Sequence, residues 1–394
     1  MRGVQSCQYR STAITSSTST STGLEGQLPK YPVDFASLER KAAEALPSWV
    51  RSYVAGGCGD EGTQRANVDA LSRYAIVPRM LVGATERDLS VSLFDMKLPT
   101  PVFMAPIGVI GLCSQDFHGD IAVAKASAQT GVPMSAGTLT QDRMEDVIPH
   151  AGDTPALFQL YTPGDKDLAA SFLARAENAG YKAVVVTLDT WVTGWRPRDL
   201  NTANFPFLRG YGLQNYFTDE VFLNRLTKSP TEDRRAAALE WVKVFTNSLR
   251  WEDLGWLRSL TTLPILLKGI QHPDDVLKAR DYGVDGIYCS NHGGRQANGG
   301  LSALDALPAV VQAAAGMPVL FGSGVRSGSD VAKALALGAT AVGIGRPYAY
   351  ALAVGGTEGV VAQLRAILAE LDLLMAIDGF PTLADLRAAG ARRI

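Results

Sequence analysis

Histidine is scarce in this chain. There are four, His118, His150, His272 and His292, so chemistry that needs an imidazole near neutral pH has few candidates. His118 and His272 stand beside Gly or Pro where helices should start, and His150 precedes Ala151-Gly152 at a helix end; structural roles suffice for all three. His292 differs. It lies in Ser290-Asn291-His292-Gly293-Gly294-Arg295-Gln296, directly after a short apolar run. Other apolar runs end in comparable clusters: Thr187 and Asp189 with Arg196 beyond them, then Lys268, Gly324-Val325-Arg326 and Gly345-Arg346-Pro347. Singly, Asp189 reads also as a helix N-cap, Lys268 as a rim charge and His292 as a turn residue. Together they are costly to bury unless they pair or bind a ligand. The combination favours a functional reading of His292 with Asp189 and Arg295, and glycine beside arginine implies a grip on a phosphate.

These clusters need elements to place them. Short apolar runs fall at 101–105, 132–135, 156–160, 183–188, 264–267, 286–289, 318–321 and 341–344. Helical patterns follow, among them 119–130, 165–179, 273–282 and 329–337. Val- and Ile-rich runs without polar alternation suit a parallel sheet buried on both faces, and alternation with helices implies right-handed crossovers. Eight such units predict an α/β (β/α)8 TIM barrel, with the polar residues at the C-terminal mouth. An open doubly wound sheet is the rival, disfavoured because no G-x-G-x-x-G follows the first run. A helical segment over 34–54 precedes the barrel. The interval from the fourth run to the fifth is the longest and includes a helical pattern over 234–247; residues 201–252 are expected to form a lid.

The 394 residues suit one domain of this kind. A formal net charge of -2 makes no electrostatic case for nucleic acid, and no apolar run reaches membrane-spanning length. The scattered cysteines Cys7, Cys58, Cys113 and Cys289 read as reduced thiols, with no metal site among them, in a cytoplasmic protein. Eleven of the first 22 residues are Ser or Thr and no acid precedes Glu25. Residues 1–30 are therefore expected to be a disordered extension, with a faint likeness to a mitochondrial transit peptide as the alternative, and 31–394 to be the barrel domain.

The run Ser290 to Gln296 resembles the active-site signature of the FMN-dependent L-2-hydroxy acid oxidases and dehydrogenases. The likeness extends through Tyr53-Val54-Ala55-Gly56-Gly57, Ala105-Pro106-Ile107-Gly108, Gln159-Leu160-Tyr161, Leu267-Lys268-Gly269 and Gly345-Arg346-Pro347. Within that family the chain is most similar to the lactate 2-monooxygenases, in Ala105-Pro106-Ile107-Gly108-Val109-Ile110, Thr190-Trp191 with Gly194-Trp195-Arg196-Pro197-Arg198-Asp199-Leu200, and Lys268 to Asp275.

The resemblance implies FMN as cofactor, with a small 2-hydroxy acid and O2 as partners in a homo-oligomer. By it, His292 takes the substrate's proton and Asp189 orients it. Arg196 and Arg295 hold the substrate carboxylate with Tyr53, and Tyr161 bonds its hydroxyl. Lys268 stands by the flavin ring; Gln159, Thr187 and Ser290 bond its edge, and Pro106, Ile107 and Gly108 line its face. Gly324, Arg326, Gly345 and Arg346 hold the phosphate. Leu139 and Thr193 line the pocket floor. The product is expected to be decarboxylated, lactate giving acetate, CO2 and water; a plain oxidase, a dehydrogenase with another acceptor and a non-catalytic flavin barrel are the alternatives. Two positions depart from the family. Gly137 stands where relatives carry Ser. Gly322 stands where they carry an Asp on the ribityl chain, so Gly322→Asp is expected to tighten FMN.

Overall fold

The computed structural model of the protein describes residues 26–245 and 248–394. Eight short parallel strands close on themselves: β1 (Val102–Met104), β2 (Met134–Ala136), β3 (Ala156–Leu160), β4 (Val184–Thr187), β5 (Ile265–Ile270), β6 (Gly286–Cys289), β7 (Val319–Gly322) and β8 (Ala341–Ile344). Closure comes from β8 on β1, with Val342 beside Val102 and Ile344 beside Met104. The eight expected runs are these strands to within two residues, except the fifth. There Lys268 lies inside the strand, and a bulge between Lys268 and Ile270 carries β5 onward.

Alternate side chains face opposite sides of the sheet, so the strands feed two cores. Leu157, Val185, Leu266 and Leu320 pack inside the barrel; Phe158, Val184, Val186 and Leu267 pack outward against the helices. A hairpin of Val91–Leu93 with Met96–Leu98, not anticipated from the sequence, buries Leu93 and Leu98 against the inner cluster.

The helix expected over 34–54 is two, Phe35–Ala45 and Ser48–Ala55. Pro47 is the cause: it forces the preceding Leu46 into extended backbone at ψ 137°, ending the first helix. Helices Gly119–Thr130, Lys166–Ala179, Pro273–Asp281 and Gly328–Ala336 lie where the pattern put them. The long interval after β4 holds short helices and then Arg234–Phe245. Most of the expected N-terminal extension lies outside the described residues; Gly26 to Lys30 are exposed, and Lys30 reaches Glu358 at 2.6 Å. Among the described residues no helix is long and apolar enough to cross a membrane.

Candidate active site

The strand ends converge on one cavity. Its walls carry Pro106, Ile107 and Gly108 after β1, Tyr161 after β3, Arg196 beyond β4, Lys268 on β5, and Ser290, His292 and Arg295 after β6. Gly324 and Arg326 after β7, Gly345 and Arg346 after β8, and Tyr53 from helix Ser48–Ala55 complete it, with Leu139 and Thr193 also at the wall. Asp189 and Thr187 line a second cavity that shares Tyr161, Thr190 and Phe245 with the first, and Gln159 is buried in the barrel wall.

His292 sits in a strained turn with φ 58°, in the left-handed region where a side chain is disfavoured. Gly293 and Gly294 continue it at positive φ, and a side chain on Gly294 would run into the backbone of Gln64. His292 Nδ1 lies 2.8 Å from Asp189 Oδ1, 3.2 Å from Thr190 Oγ1 and 3.4 Å from Lys268 Nζ. Burial, aided by the Lys268 charge, pushes the imidazole down to about 4, so it is neutral near pH 7. With Nδ1–H donating to Asp189, Nε2 is left as a free lone pair. Burial alone would raise the Asp189 carboxyl; the His292 and Lys268 charges outweigh it and hold the group well below the carboxylate range. Burial also lowers Lys268.

Four arginines gather at the cavity wall. Arg196 Nε donates to the Arg295 carbonyl at 2.9 Å, and its Nη2 donates to Gln296 Oε1. Arg295 donates to the Val54 and Gly56 carbonyls and lies 5.3 Å over the Tyr53 ring. Arg346 donates to the Val54 and Ala55 carbonyls at 3.2 and 3.1 Å, at the C-terminal end of the same helix, where the dipole favours a cation. Burial, then the neighbouring arginines, pushes Arg295 down to about 9 and Arg346 to about 10. Among the described residues neither these three nor Arg326 forms an ion pair. Buried, mutually repelling guanidiniums at a cavity wall call for anions.

Further observations fit a ring with a polar edge and a phosphate tail. Among the described residues, Gln159 Nε2 and Thr187 Oγ1 are buried without a partner. At Gly345 a side chain would project into open space, whereas Gly324 has φ 87° and lies against the Asn67 carbonyl, leaving its loop as bare backbone.

Several site residues escaped the sequence reading. Phe207, Trp241 and Phe245 from the long interval line the cavity. With the two tyrosines they form a chain of rings, Tyr53 to Phe207 at 6.2 Å, Phe207 to Trp241 at 5.3 Å, Trp241 to Phe245 at 4.7 Å and Phe245 to Tyr161 at 5.5 Å. The segment was legible as an excursion, but which of its aromatics turn inward was not. Gln296, the last residue of the motif, donates to the Asp189 and Val192 carbonyls at 2.8 and 2.9 Å. Tyr288 lies inside the sixth strand. A Cβ on Gly322 would stand 2.7 Å from the Tyr288 hydroxyl, so a side chain there must displace a buried ring, which weighs against the expectation that Gly322→Asp tightens FMN. At Gly137 the nearest atom to an added Cβ is Gln159 Oε1 at 3.6 Å, so that position has room. His118 and His272 lie outside the cavity, His118 against Asp142 at 2.5 Å and His272 accepting from the Asp274 backbone N–H.

A closed parallel barrel whose C-terminal mouth joins a poised imidazole to anion-seeking arginines defines a barrel oxidoreductase built around a phosphate-bearing cofactor. The sequence profile of the FMN-dependent dehydrogenases matches residues 42–393, and the chain belongs to that family. It is an FMN-dependent oxidoreductase. It is 41% identical over 358 residues to an L-lactate oxidase of Lysinibacillus sphaericus, covering 91% of this chain and 92% of that one. An FMN-dependent alpha-hydroxy acid dehydrogenase of Penicillium citrinum is 40% identical over 375 residues, covering 93% and 92%. Among solved structures, a lactate oxidase of Pediococcus acidilactici superposes with a TM-score of 0.82 at 35% identity, covering 93% and 96%.

Proposed function

We propose that the enzyme oxidises a small L-2-hydroxy acid with O2 as acceptor, and that the 2-keto acid is decarboxylated before it leaves. The observation that carries the first part is the neutral His292, 2.8 Å from Asp189, on a cavity wall shared with Arg196 and Arg295. The relatives named lactate oxidase and hydroxy acid dehydrogenase point to the same substrate class.

Each residue has a physical task. Arg196 and Arg295 hold the substrate carboxylate by charge-assisted hydrogen bonds. Tyr161, its phenol raised by burial and so protonated, donates to the substrate hydroxyl. Nε2 of His292 accepts a proton, and Asp189 stabilises the resulting imidazolium. Bound FMN would supply the two-electron sink and the reactivity toward O2 from which peroxide comes. Lys268 supplies a positive charge beside that sink. Pro106, Ile107, Gly108, Gln159, Thr187 and Ser290 would contact its ring, and Gly324, Arg326, Gly345 and Arg346 would hold its phosphate.

The ring chain from Tyr53 to Tyr161 supports retention of the keto acid, since a covered product leaves slowly. Retained peroxide then attacks the keto carbon: lactate and O2 become acetate, CO2 and water. The plain oxidase is the second reading, favoured by the names of the relatives. Measuring acetate, pyruvate and peroxide together, with L-lactate at saturating O2, separates the two. Stoichiometric pyruvate and peroxide would overturn retention; a flavin left oxidised anaerobically by every 2-hydroxy acid would overturn the substrate class. Exposed Trp191, Val192 and Trp195 on the loop after β4 support association of copies, which sedimentation tests. The cytoplasmic placement rests on cysteine usage and is tested by localising the tagged full chain.

A further inference from the structure

One buried tyrosine at the cavity has no task so far. Tyr288 lies on β6 with 1% of its surface exposed, and its ring packs edge-on against Phe103 at 5.4 Å. On its other side the Lys268 ammonium stands 5.6 Å from the ring centre. No hydrogen bond to its hydroxyl is found among the described residues, yet the side chain reaches the cavity wall. The hydroxyl does not belong to the fully buried unpaired atoms, so it opens on the cavity, where a phenol, ordinarily paired in a core, can meet a bound group.

The neighbouring strands make room for it. Gly322 closes β7 and Gly343 lies in β8, and an added Cβ at either would meet the Tyr288 hydroxyl. Glycine in two adjacent strands marks a close approach, here of a side chain between strands. Both strands run directly into the loops bearing Gly324 with Arg326 and Gly345 with Arg346. Tyr288 therefore lies between Lys268 on one side and the strand ends that launch the anion-seeking arginines on the other.

We propose that Tyr288 is a cofactor-binding residue, its hydroxyl bonding the polyhydroxyl chain that joins the ring of FMN to its phosphate. This rests on FMN occupying the cavity. A polyol both donates and accepts, so it suits a phenol, which burial keeps protonated. Tyr288 and the two glycines then act as a unit: the ring fills the space that side chains at 322 and 343 would take, and delivers one polar atom to the cavity.

The test is Tyr288→Phe, which keeps the ring. FMN is titrated into apoprotein and Kd read from flavin fluorescence, alongside the melting temperature of the apoprotein. The expected result is a Kd raised ~2- to 10-fold, the size of one neutral hydrogen bond, with the melting temperature unchanged or higher. An unchanged Kd, or a loss explained by a lower melting temperature, would overturn the proposal and leave Tyr288 as packing. Gly322→Asp is the second arm: it should weaken FMN, and Tyr288→Ile in the same chain should recover part of the loss. Tighter binding in the single Gly322→Asp variant would also overturn it. Parent protein that binds no FMN would instead bring down the cofactor reading beneath it.

Discussion

The two ends of the barrel are made from the same eight strands and obey opposite rules. Towards the strand starts, Leu157, Val185, Leu266 and Leu320 meet Leu93 and Leu98 of the hairpin in an inner cluster without a charge. At the strand ends, Lys268, Arg295, Arg326 and Arg346 crowd a single wall and His292 sits in disfavoured backbone. The apolar end holds the barrel closed by area removed from water. The polar end costs stability, through burial of charges that only bound anions complete. The contrast is the usual division of a barrel between a stabilising face and a reacting face, here resolved to particular side chains.

The contrast breaks most sharply at His292. His292→Ala should lower kcat ~10²–10⁴-fold while FMN stays bound, since the base is separate from the phosphate grip. Loss of the flavin, or a near-normal rate, would refute the role. The same group sets a pH dependence. Imidazole acts as base only when neutral, so kcat/KM should fall as pH drops through about 4 instead of through the ordinary histidine range. The sign for stability follows: below pH ~6.5 the unfolded chain binds a proton that folded His292 refuses, so stability is lost as pH falls from there towards 4.

The opposite end should answer in the opposite currency. Leu266→Ala leaves a void in the inner cluster and should cost ~2–5 kcal/mol of stability, with kcat per folded molecule unchanged. Denaturant unfolding and active-site flavin titration measure the two separately. A change in kcat without loss of stability would dissolve the division between the ends.

Smaller effects sharpen the polar end. Arg295→Met and Arg196→Met should each cost ~1.5–3 kcal/mol in kcat/KM, about 10- to 150-fold. Arg295 should show the larger loss of stability, because it also binds the carbonyls that end helix Ser48–Ala55. Unchanged kinetics in either variant would place that residue outside the substrate's reach.

Much of this was legible in the order of residues. Strand positions follow from Val- and Ile-rich runs of set length, because a strand buried on both faces has no polar alternation to preserve. The mouth residues stood out because Lys, Arg, Asp and His directly after such runs have no use in a core. The break at Pro47 was not anticipated in the helical segment expected over 34–54, although its restriction on Leu46 is local. What the sequence alone could not decide depends on contacts between distant segments. Phe207, Trp241 and Phe245 are ordinary apolar positions until the excursion folds back over the cavity. Gly322 reads as a missing side chain until Tyr288, 34 residues earlier in the chain, is seen to fill its space. A substitution pattern on one strand is intelligible only with its neighbours in place, because packing at full density is a property of the assembled layer and not of the run that contributes to it.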